Sequence, residues 1–396
     1  MPGTLKADPV LAVYVHWPFC LHKCPYCDFN SHVRSAAERG HDPWSEHYLA
    51  SLAAWARQLP AARTATIFFG GGTPSLMPPE LVSQVIMRIL EIWPPVDDAP
   101  IEITLEANPT SVEAARLADL RAAGVNRVSL GLQALDDAAL AVLGRQHSVA
   151  EGLAALEEAQ RHFARVNLDL IHSRPGQTPE AWAAEWSRAL ALGTEHLSGY
   201  QLTIEPGTRF ATLHRMHRLD LPDETAAADM LLLTRQLAAA AGRPAYEVSN
   251  FARPGAECRH NLAYWRHQPW VGIGPGAHGR LPGASPGEWY GFAAIRRPEE
   301  WAAAVRSGKP LALAEVEPVD PDQAMRDALM MGLRLAEGVD PSELARRFGR
   351  NTDTVIDFVR ARDLAEAGYL RVAQGRIRPA GDGWLLLDRI LAEILR

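Results

Sequence analysis

The chain has 396 residues, of which 47% are apolar and 22% are charged, and its formal net charge is -7. These values indicate a globular protein of two or three domains, and they argue against a general nucleic-acid-binding protein, which needs a basic surface stripe. No run of 18 uncharged apolar residues is present, so the sequence predicts no membrane-spanning segment. The first nine residues do not resemble a secretion signal and three of the four cysteines are clustered, so we expect a cytoplasmic protein.

The first half of the chain alternates apolar, strand-like runs with segments rich in alanine, leucine and glutamate. Such alternation is typical of a parallel sheet whose strands are connected by helices. Six βα units fall short of the eight in a complete barrel, so we predict an α/β fold built as a partial (β/α)6 barrel. The predicted strands are Val10–His16, Thr64–Phe69, Ile101–Leu105, Arg127–Leu132, Val166–Ile171 and His196–Thr203.

The pattern changes near residue 246, where prolines and glycines become frequent and predict an irregular connector. Beyond it, helical segments and a short hairpin over Tyr369–Pro379 predict a small helical domain similar to a winged helix. Its acidic residues and the lack of a basic recognition helix favour a packing role over DNA binding. The predicted domains are therefore 1–245, 246–310 and 311–396.

Three cysteines, Cys20, Cys24 and Cys27, follow the first predicted strand with the spacing CxxxCxxC. Thiolates so close together indicate a soft metal centre. A structural zinc site normally has four protein ligands, whereas the fourth cysteine, Cys258, is distant in the sequence and has no CxxC partner. Three thiolates suit a four-iron cluster with one iron left for a non-protein ligand, and zinc or unligated thiols are the alternatives.

Glycines and polar residues recur at the ends of the next predicted strands. The turn Gly70–Pro74 follows the second strand, and Glu106, Gln133 and Asp169 stand at the ends of the third, fourth and fifth. Because the carboxyl ends of parallel strands carry the binding sites of such folds, these residues are expected to line one site. Carboxylates, an amide and backbone groups exposed by glycine suit a polar ligand that carries an amine.

Together these motifs are similar to those of the HemN/HemW group of the radical S-adenosylmethionine (SAM) family. The similarity covers nearly the whole chain and includes Leu105–Pro109 and Gly272–His278 besides the motifs above. It implies a radical SAM barrel with a [4Fe–4S] cluster on Cys20, Cys24 and Cys27. It also implies that SAM contacts Tyr14, Tyr26, Gly71, Gly72, Thr73, Glu106, Gln133, Arg145 and Asp169.

Two features separate the members of this group. HemN proteins carry a fourth cysteine two places after the third, where this chain has Phe29, and HemW proteins carry HNxxYW, which is present here as His260, Asn261, Tyr264 and Trp265. His260 can serve as an axial ligand to haem iron, and the two aromatic residues supply flat apolar surface. The resemblance therefore implies a haem chaperone that delivers haem to apo-haemoproteins, including membrane-associated ones, and that forms a cluster-linked homodimer.

Three alternative functions are kept. The first is an oxygen-independent coproporphyrinogen III oxidase, a radical SAM enzyme that decarboxylates propionates in porphyrin biosynthesis; the missing fourth cysteine and the HNxxYW element count against it. The others are a radical SAM transferase with an unrelated substrate and a zinc-binding structural module. One departure from the family pattern, Arg174, is expected to place a cation near the mouth of the site, where it could pair with a propionate or alter SAM access. A role of Cys258 in assisting His260 is left open.

Overall fold

The computed structural model describes residues 5–6, 8–34, 44–97, 100–285 and 287–396. Its strands are β1 Val10–Trp17, β2 Phe19–Cys20, β3 His32–Val33, β4 Arg63–Gly71, β5 Glu102–Ala107, β6 Arg127–Gln133, β7 Arg165–His172, β8 His196–Gln201, β9 Asn250–Ala252, β10 Trp270–Ile273, β11 His278–Pro282, β12 Trp289–Ala294, β13 Leu313–Val319, β14 Leu370–Ala373 and β15 Arg376–Pro379. Eleven of them form one sheet in the order β13-β12-β11-β10-β1-β4-β5-β6-β7-β8-β9. Two small sheets pair β2 with β3 and β14 with β15.

Helices connect most neighbouring strands of the large sheet. The α-helices are Trp44–Gln58, Pro79–Ile92, Ser111–Ala114, Leu117–Ala122, Asp137–Val142, Val149–His162, Pro179–Leu190, Arg209–Arg215, Glu224–Ala240, Arg259–Trp265, Pro298–Arg306, Pro321–Gly332, Pro341–Phe348, Phe358–Glu366 and Leu387–Ile394. Short 3-10 helices span Pro74–Leu76, Thr352–Thr354 and Gly381–Trp384. Among the described residues, none of these helices combines the length and the apolar character needed to cross a membrane.

The six predicted strands are confirmed as β1, β4, β5, β6, β7 and β8, which are consecutive neighbours and run parallel. The partial (β/α)6 barrel is therefore the fold of this part of the chain. Successive side chains of a strand point to opposite faces of its sheet. On β4, Ile67 and Phe69 belong to the main hydrophobic core, whereas Thr66 and Phe68 point to the opposite, inner face and contact His260 of the helix Arg259–Trp265.

The sequence predicts an irregular connector over 246–310, but the structure contains regular strands there. This segment contributes β9, which pairs antiparallel with β8, and β10, which pairs parallel with β1 on the other side of the sheet. β11 and β12 then continue the sheet as antiparallel strands. These strands are short, and β10, β11 and β12 contain glycine, so they carry little local strand signal; pairing with existing edges stabilises them instead. The domain boundaries at 245 and 310 stay a prediction.

The last eighty residues build a second, smaller core from helices and the β14–β15 hairpin, as predicted. Helical structure between Thr352 and Glu366 is interrupted: a 3-10 helix ends at Thr354 and the α-helix begins at Phe358. The side chain of Asp357 accepts hydrogen bonds from the backbone N–H groups of Val359 and Arg360. Asp357 thus acts as the N-cap of a new helix, which accounts for the break.

Candidate functional site

A cavity of about 800 Å³ opens on the inner face of the sheet, at the carboxyl ends of β1, β4 and β5. Its walls include Tyr14, Gly71 and Glu106 from these strands. They also include residues of the helix Arg259–Trp265, namely Asn261, Tyr264 and Trp265. A volume of this size suits a cofactor-sized ligand. The cavity brings together parts of two predicted groups that are far apart in the sequence, three of the SAM contacts and three residues of the HNxxYW element. The other predicted contacts do not line it, namely Tyr26, Gly72, Thr73, Gln133, Arg145, Asp169 and His260.

The cysteine motif forms a loop beside this cavity. Pairing of β2 with β3 closes the loop at its base, and the backbone N–H of Cys27 donates to the carbonyl of Cys24 at 3.1 Å. All four cysteines of the chain are free; Cys20 is buried, and Cys24 and Cys27 are half-buried. Burial raises the pKa of the Cys20 thiol to about 11 despite a hydrogen bond from Thr73, and the nearby thiols of Cys27 and Cys24 add to the rise.

The donors around the loop suit thiolate ligands. Thr73 Oγ1 donates to Cys20 Sγ at 3.3 Å, and Arg145 Nη1 donates to Cys24 Sγ at 3.6 Å. In the part of the chain that the structure describes, no three histidine, cysteine or carboxylate side chains converge as the ligands of a single metal ion would. An iron–sulfur cluster does not need such convergence, because its thiolates bind different irons. The residues therefore fit a cluster better than a preformed zinc site.

The glycine-rich turn packs tightly against the first strand. Gly71 has a φ of +114°, and a Cβ atom there would lie 2.5 Å from His16 Cε1. A Cβ at Gly72 would lie 2.8 Å from the carbonyl carbon of Pro18. Only glycine satisfies both the conformation and the space at residue 71. The freed backbone N–H of Gly71 donates to Glu106 Oε2 at 3.2 Å.

Gly71→Ala is expected to lower the free energy of unfolding by about 3 kcal/mol, because the substitution adds a steric clash to the strain of a positive φ. Gly207→Ala is the matched control, since Gly207 has a φ of +82° and no heavy atom lies within 4 Å of its added Cβ. The control is expected to lose about 1 kcal/mol. Denaturant unfolding of both variants measures the difference, and equal losses would contradict the contact between Gly71 and His16.

Two carboxylates, Glu106 near the end of β5 and Asp169 within β7, lie close together. Burial, and secondarily the charge of the neighbouring Asp169, raise the pKa of Glu106 to about 8, against the hydrogen bond from Gly71. Asp169 accepts hydrogen bonds from Ser129 and Asn167, both at 2.8 Å, yet burial still raises its pKa. A cationic ligand beside them would favour the ionised forms. The pair is therefore suited to the amine predicted for the ligand.

Arg145 lies near Asp169, and the side chains of Arg145 and Gln133 both approach Gly131. Gln133 has a φ of 68° at the end of β6, a conformation that is uncommon for a residue other than glycine and concentrated at functional sites. Arg145 Nη2 donates to Asn108 Oδ1 at 2.6 Å and to the carbonyl of Gly131 at 2.7 Å. Its Nε is buried and has no hydrogen-bond partner among the described residues, which leaves one donor for a ligand.

The two tyrosines predicted to contact SAM lie in different surroundings. Tyr14 lines the cavity, and its hydroxyl is 2.9 Å from His16 Nδ1. Tyr26 packs in the cysteine loop against Phe210, with ring centroids 6.3 Å apart. Burial raises the pKa of both hydroxyls, so both are neutral donors. Tyr14 is placed to contact a ligand in the cavity, whereas Tyr26 faces the cysteine side.

The residues of the HNxxYW element do not all line the cavity. Asn261, Tyr264 and Trp265 line the cavity, but His260 does not. The His260 side chain is buried between Phe68, with ring centroids 4.9 Å apart, and Tyr264, at 4.7 Å, and its Nδ1 is 2.8 Å from Thr66 Oγ1. Burial lowers the pKa of His260 to about 3, so the ring is neutral.

Cys258 contacts the carboxylate of Glu102. Its Sγ lies 3.6 Å from Glu102 Oε1, and Glu102 forms a buried ion pair with Arg127 at 3.3 Å. Glu102 also accepts a hydrogen bond from the backbone N–H of His260 at 3.2 Å. Cys258 therefore belongs to the polar contacts that fix the start of the helix Arg259–Trp265.

Arg174 does not stand at the mouth of the site. It is buried and forms an ion pair with Glu185, and its Nη1 also donates to the carbonyl of Gln133 at 3.4 Å. The expectation that it pairs with a propionate or controls SAM access is wrong for this structure. A partner eleven residues away, on the next helix, was not visible as a local sequence pattern.

Several polar residues of the inner face were not among the predicted site residues. Asn167 Nδ2 donates to Ser129, Asp169 and Ser198, all within 2.7–2.9 Å, and its Oδ1 is 2.6 Å from His196 Nδ1. The signal was available, because these polar residues occupy every second position on β6, β7 and β8, where alternation places them on one face. This network connects the Glu106–Asp169 pair to the wall formed by β9.

Asn30 is another missed residue, at the end of the cysteine loop. Its backbone carbonyl is 2.9 Å from His16 Nε2, and its Nδ2 donates to the carbonyls of Pro275 at 3.0 Å and Arg296 at 2.9 Å. A Cβ at Gly276 would lie 2.2 Å from Asn30 Nδ2. Asn30 thus connects the cysteine loop to the segment around β10–β12, a contact that no local pattern predicts.

Comparison with known proteins agrees with this geometry. A family model described as the radical SAM superfamily matches residues 14–184, and one described as the HemN C-terminal domain matches residues 319–386. Heme chaperone HemW of Mycobacterium tuberculosis is 35% identical over 97% of this chain and 94% of its own length. The chain belongs to the HemW family of radical SAM proteins.

Members of the HemW family and its relatives extend beyond bacteria. The mouse radical S-adenosyl methionine domain-containing protein 1, mitochondrial, is 37% identical over all of this chain and 89% of its own length. The solved structure of Escherichia coli HemN, titled a coproporphyrinogen III oxidase and radical SAM enzyme, superposes with a TM-score of 0.80 at 23% identity, covering 98% of this chain and 90% of HemN. At that identity the likeness shows the shared fold alone.

Proposed function

We propose that this HemW-family protein binds haem and transfers it to apo-haemoproteins, and that it carries a [4Fe–4S] cluster and SAM. The supporting observation is the shared cavity, in which Tyr14, Gly71 and Glu106 lie on one side and Tyr264 and Trp265 on another. The first set suits a ligand with an amine, and the second presents aromatic surface. The names of the curated relatives support the same function.

Haem has a flat apolar ring and two carboxylates, and the cavity offers a counterpart to each. Tyr264 and Trp270 pack edge to face with ring centroids 5.3 Å apart, and both line the cavity. Such ring surfaces suit a macrocycle. Arg296 and Arg334 also line the cavity and can hold carboxylates. These features support haem over a small polar substrate.

The proposed cluster would be held by Cys20, Cys24 and Cys27, with Thr73 and Arg145 donating to sulfur. When bound and reduced, such a cluster can supply an electron to SAM; in a chaperone we expect cluster and SAM to serve integrity, dimerisation or regulation. Free cysteines in the chain fit a reducing compartment such as the cytoplasm. A cluster-linked homodimer stays a prediction, tested by light scattering before and after cluster reconstitution.

The proposal predicts that the anaerobically reconstituted chain binds haemin with a saturable shift of the Soret band. Trp265→Ala is expected to weaken haemin binding about tenfold, because it removes ring surface from the cavity wall. Trp384→Ala is the matched control, since Trp384 stacks against Arg235 outside the cavity. Mixing the haem-loaded protein with an apo-haemoprotein should then transfer the haem spectrum to the acceptor.

Two outcomes would contradict the proposal. The absence of saturable haemin binding by the reconstituted chain would exclude the chaperone function. Decarboxylation of coproporphyrinogen with consumption of SAM would instead support the oxidase alternative, which shares the fold.

A further inference from the structure

Resting on the proposed function, we propose that His278, rather than His260, is the axial ligand that the cavity offers to haem iron. His278 begins β11, lines the cavity and is exposed. Neighbours of His260 in the same helix line the cavity, but the His260 side chain is buried and does not. The inference therefore moves the iron-binding role by eighteen residues.

A histidine binds iron through a ring nitrogen that is free of other bonds and accessible to the metal. The His260 ring is 1% exposed, and its Nδ1 is occupied by Thr66. Its Nε2 has no hydrogen-bond partner among the described residues, but the ring is enclosed by Phe68 and Tyr264. Iron could reach Nε2 only if these aromatic rings moved apart.

A second histidine in the cavity wall is excluded by its hydrogen bonds. His16 Nδ1 is 2.9 Å from the hydroxyl of Tyr14, and His16 Nε2 is 2.9 Å from the carbonyl of Asn30. Both ring nitrogens are therefore engaged in holding the cysteine loop and the first strand. Binding iron at His16 would break one of these contacts.

His278 meets the requirement. Its imidazole takes part in no hydrogen bond with the residues that the structure describes, and it faces the cavity near His16, whose pKa it helps to lower. The backbone of His278 is fixed, because β11 pairs with β12 and its carbonyl lies against Gly272, where a Cβ would be only 2.2 Å away. A fixed backbone with a free ring is a suitable support for a metal ligand.

The surroundings of His278 suit the rest of the haem molecule. Trp265, Trp270 and Tyr264 line the same cavity and supply ring surface. Arg296 and Arg334 line it as well and can pair with the propionates. Met331 is the remaining soft side chain in the wall and is tested as a rival ligand. His260 then acts as a positioning residue that supports Tyr264.

The test uses the full chain with its cluster reconstituted and haemin as the probe. His278→Ala is expected to lose the nitrogen-ligated spectrum in visible absorption and resonance Raman, and to weaken haemin binding at least about tenfold. Free imidazole added to this variant should restore the ligated spectrum. His260→Ala should keep the ligated spectrum but unfold at lower denaturant concentration. Met331→Leu and the surface variant His214→Ala should resemble the unmodified chain.

The outcomes separate this inference from the proposed function. If the unmodified chain binds no haemin, the proposed function fails and the inference fails with it. If haemin binds but the ligated spectrum survives in His278→Ala and is lost in His260→Ala or Met331→Leu, the inference is overturned while the proposed function stands. Unfolding curves for each variant show that a lost spectrum does not come from a lost fold.

Discussion

Cys24→Ala is expected to abolish binding of the iron–sulfur cluster, with loss of nearly all bound iron and of the charge-transfer absorption. Three thiolates are the protein's whole contribution to the proposed cluster, so removal of one leaves an iron without a protein ligand. Cys24 is half-buried and its sulfur contacts Arg145, so the substitution creates no large cavity and the fold should persist. Iron analysis and visible spectra after anaerobic reconstitution measure the effect.

Cys258→Ser is the matched control for this experiment. Cys258 is buried beside Glu102, and a serine hydroxyl can keep that hydrogen bond. The control should retain full iron content. Equal iron loss in both variants would contradict the assignment of the cluster to the CxxxCxxC loop. Stoichiometric zinc without colour in the unmodified chain would favour the zinc alternative.

Glu106→Gln is expected to weaken SAM binding roughly 10- to 100-fold while stabilising the ligand-free chain at neutral and alkaline pH. The amide keeps an oxygen that can accept from the Gly71 N–H but removes the charge that would pair with a cationic ligand. The pKa of Glu106 is about 8 in the folded chain, above its ordinary value of 4.5. The folded state therefore binds the proton more tightly than the unfolded state.

The pH dependence follows from that difference. Between pH 4.5 and about 8 the stability contributed by Glu106 falls as pH rises, and above about 8 the loss is complete. The variant should thus match the unmodified chain near pH 4 and exceed it by roughly 4–5 kcal/mol above pH 8. SAM affinity of the unmodified chain should increase with pH up to about 8, since binding needs the ionised carboxylate.

Equilibrium dialysis of SAM and denaturant unfolding, both repeated across this pH range, measure the two effects. Glu91→Gln is the control, because Glu91 is exposed on a helix and pairs only with Arg88 among the described residues. A surface pair of this kind contributes little to stability. Unchanged SAM affinity in Glu106→Gln would remove this carboxylate from the proposed site.

The barrel could be predicted because its signals are local. Each of the six central strands carries its own strand-like run, and several carry a polar residue that a buried strand does not otherwise need, such as Glu106 or Asp169. β10, with only four residues, has no such signal, and its place beside β1 depends on contacts made across some 250 residues of chain. Non-local pairing of this kind is invisible to periodicity.

In the candidate site, too, local sequence signals identify some residues, whereas only the packing of the folded chain places others. Motif positions identified Tyr14, Gly71 and Glu106, which the structure brings to one cavity. The same motif logic selected His260, but spacing within a short helix does not tell which side chain of the helix meets the cavity and which meets the sheet. Only the packing of that helix on Thr66 and Phe68 decides it.

Asn30 carries a consequence for protein engineering. It belongs to the cysteine loop, yet its amide serves the carbonyls of Pro275 and Arg296, and Gly276 must stay small to admit it. The cysteine loop is consequently not a portable module. Replacing residues 20–31 with a loop that lacks an amide at position 30 would leave the carbonyls of Pro275 and Arg296 without this donor. Moving this loop into a relative would require glycine at position 276, so the exchanged unit has to include 272–296 from the same parent.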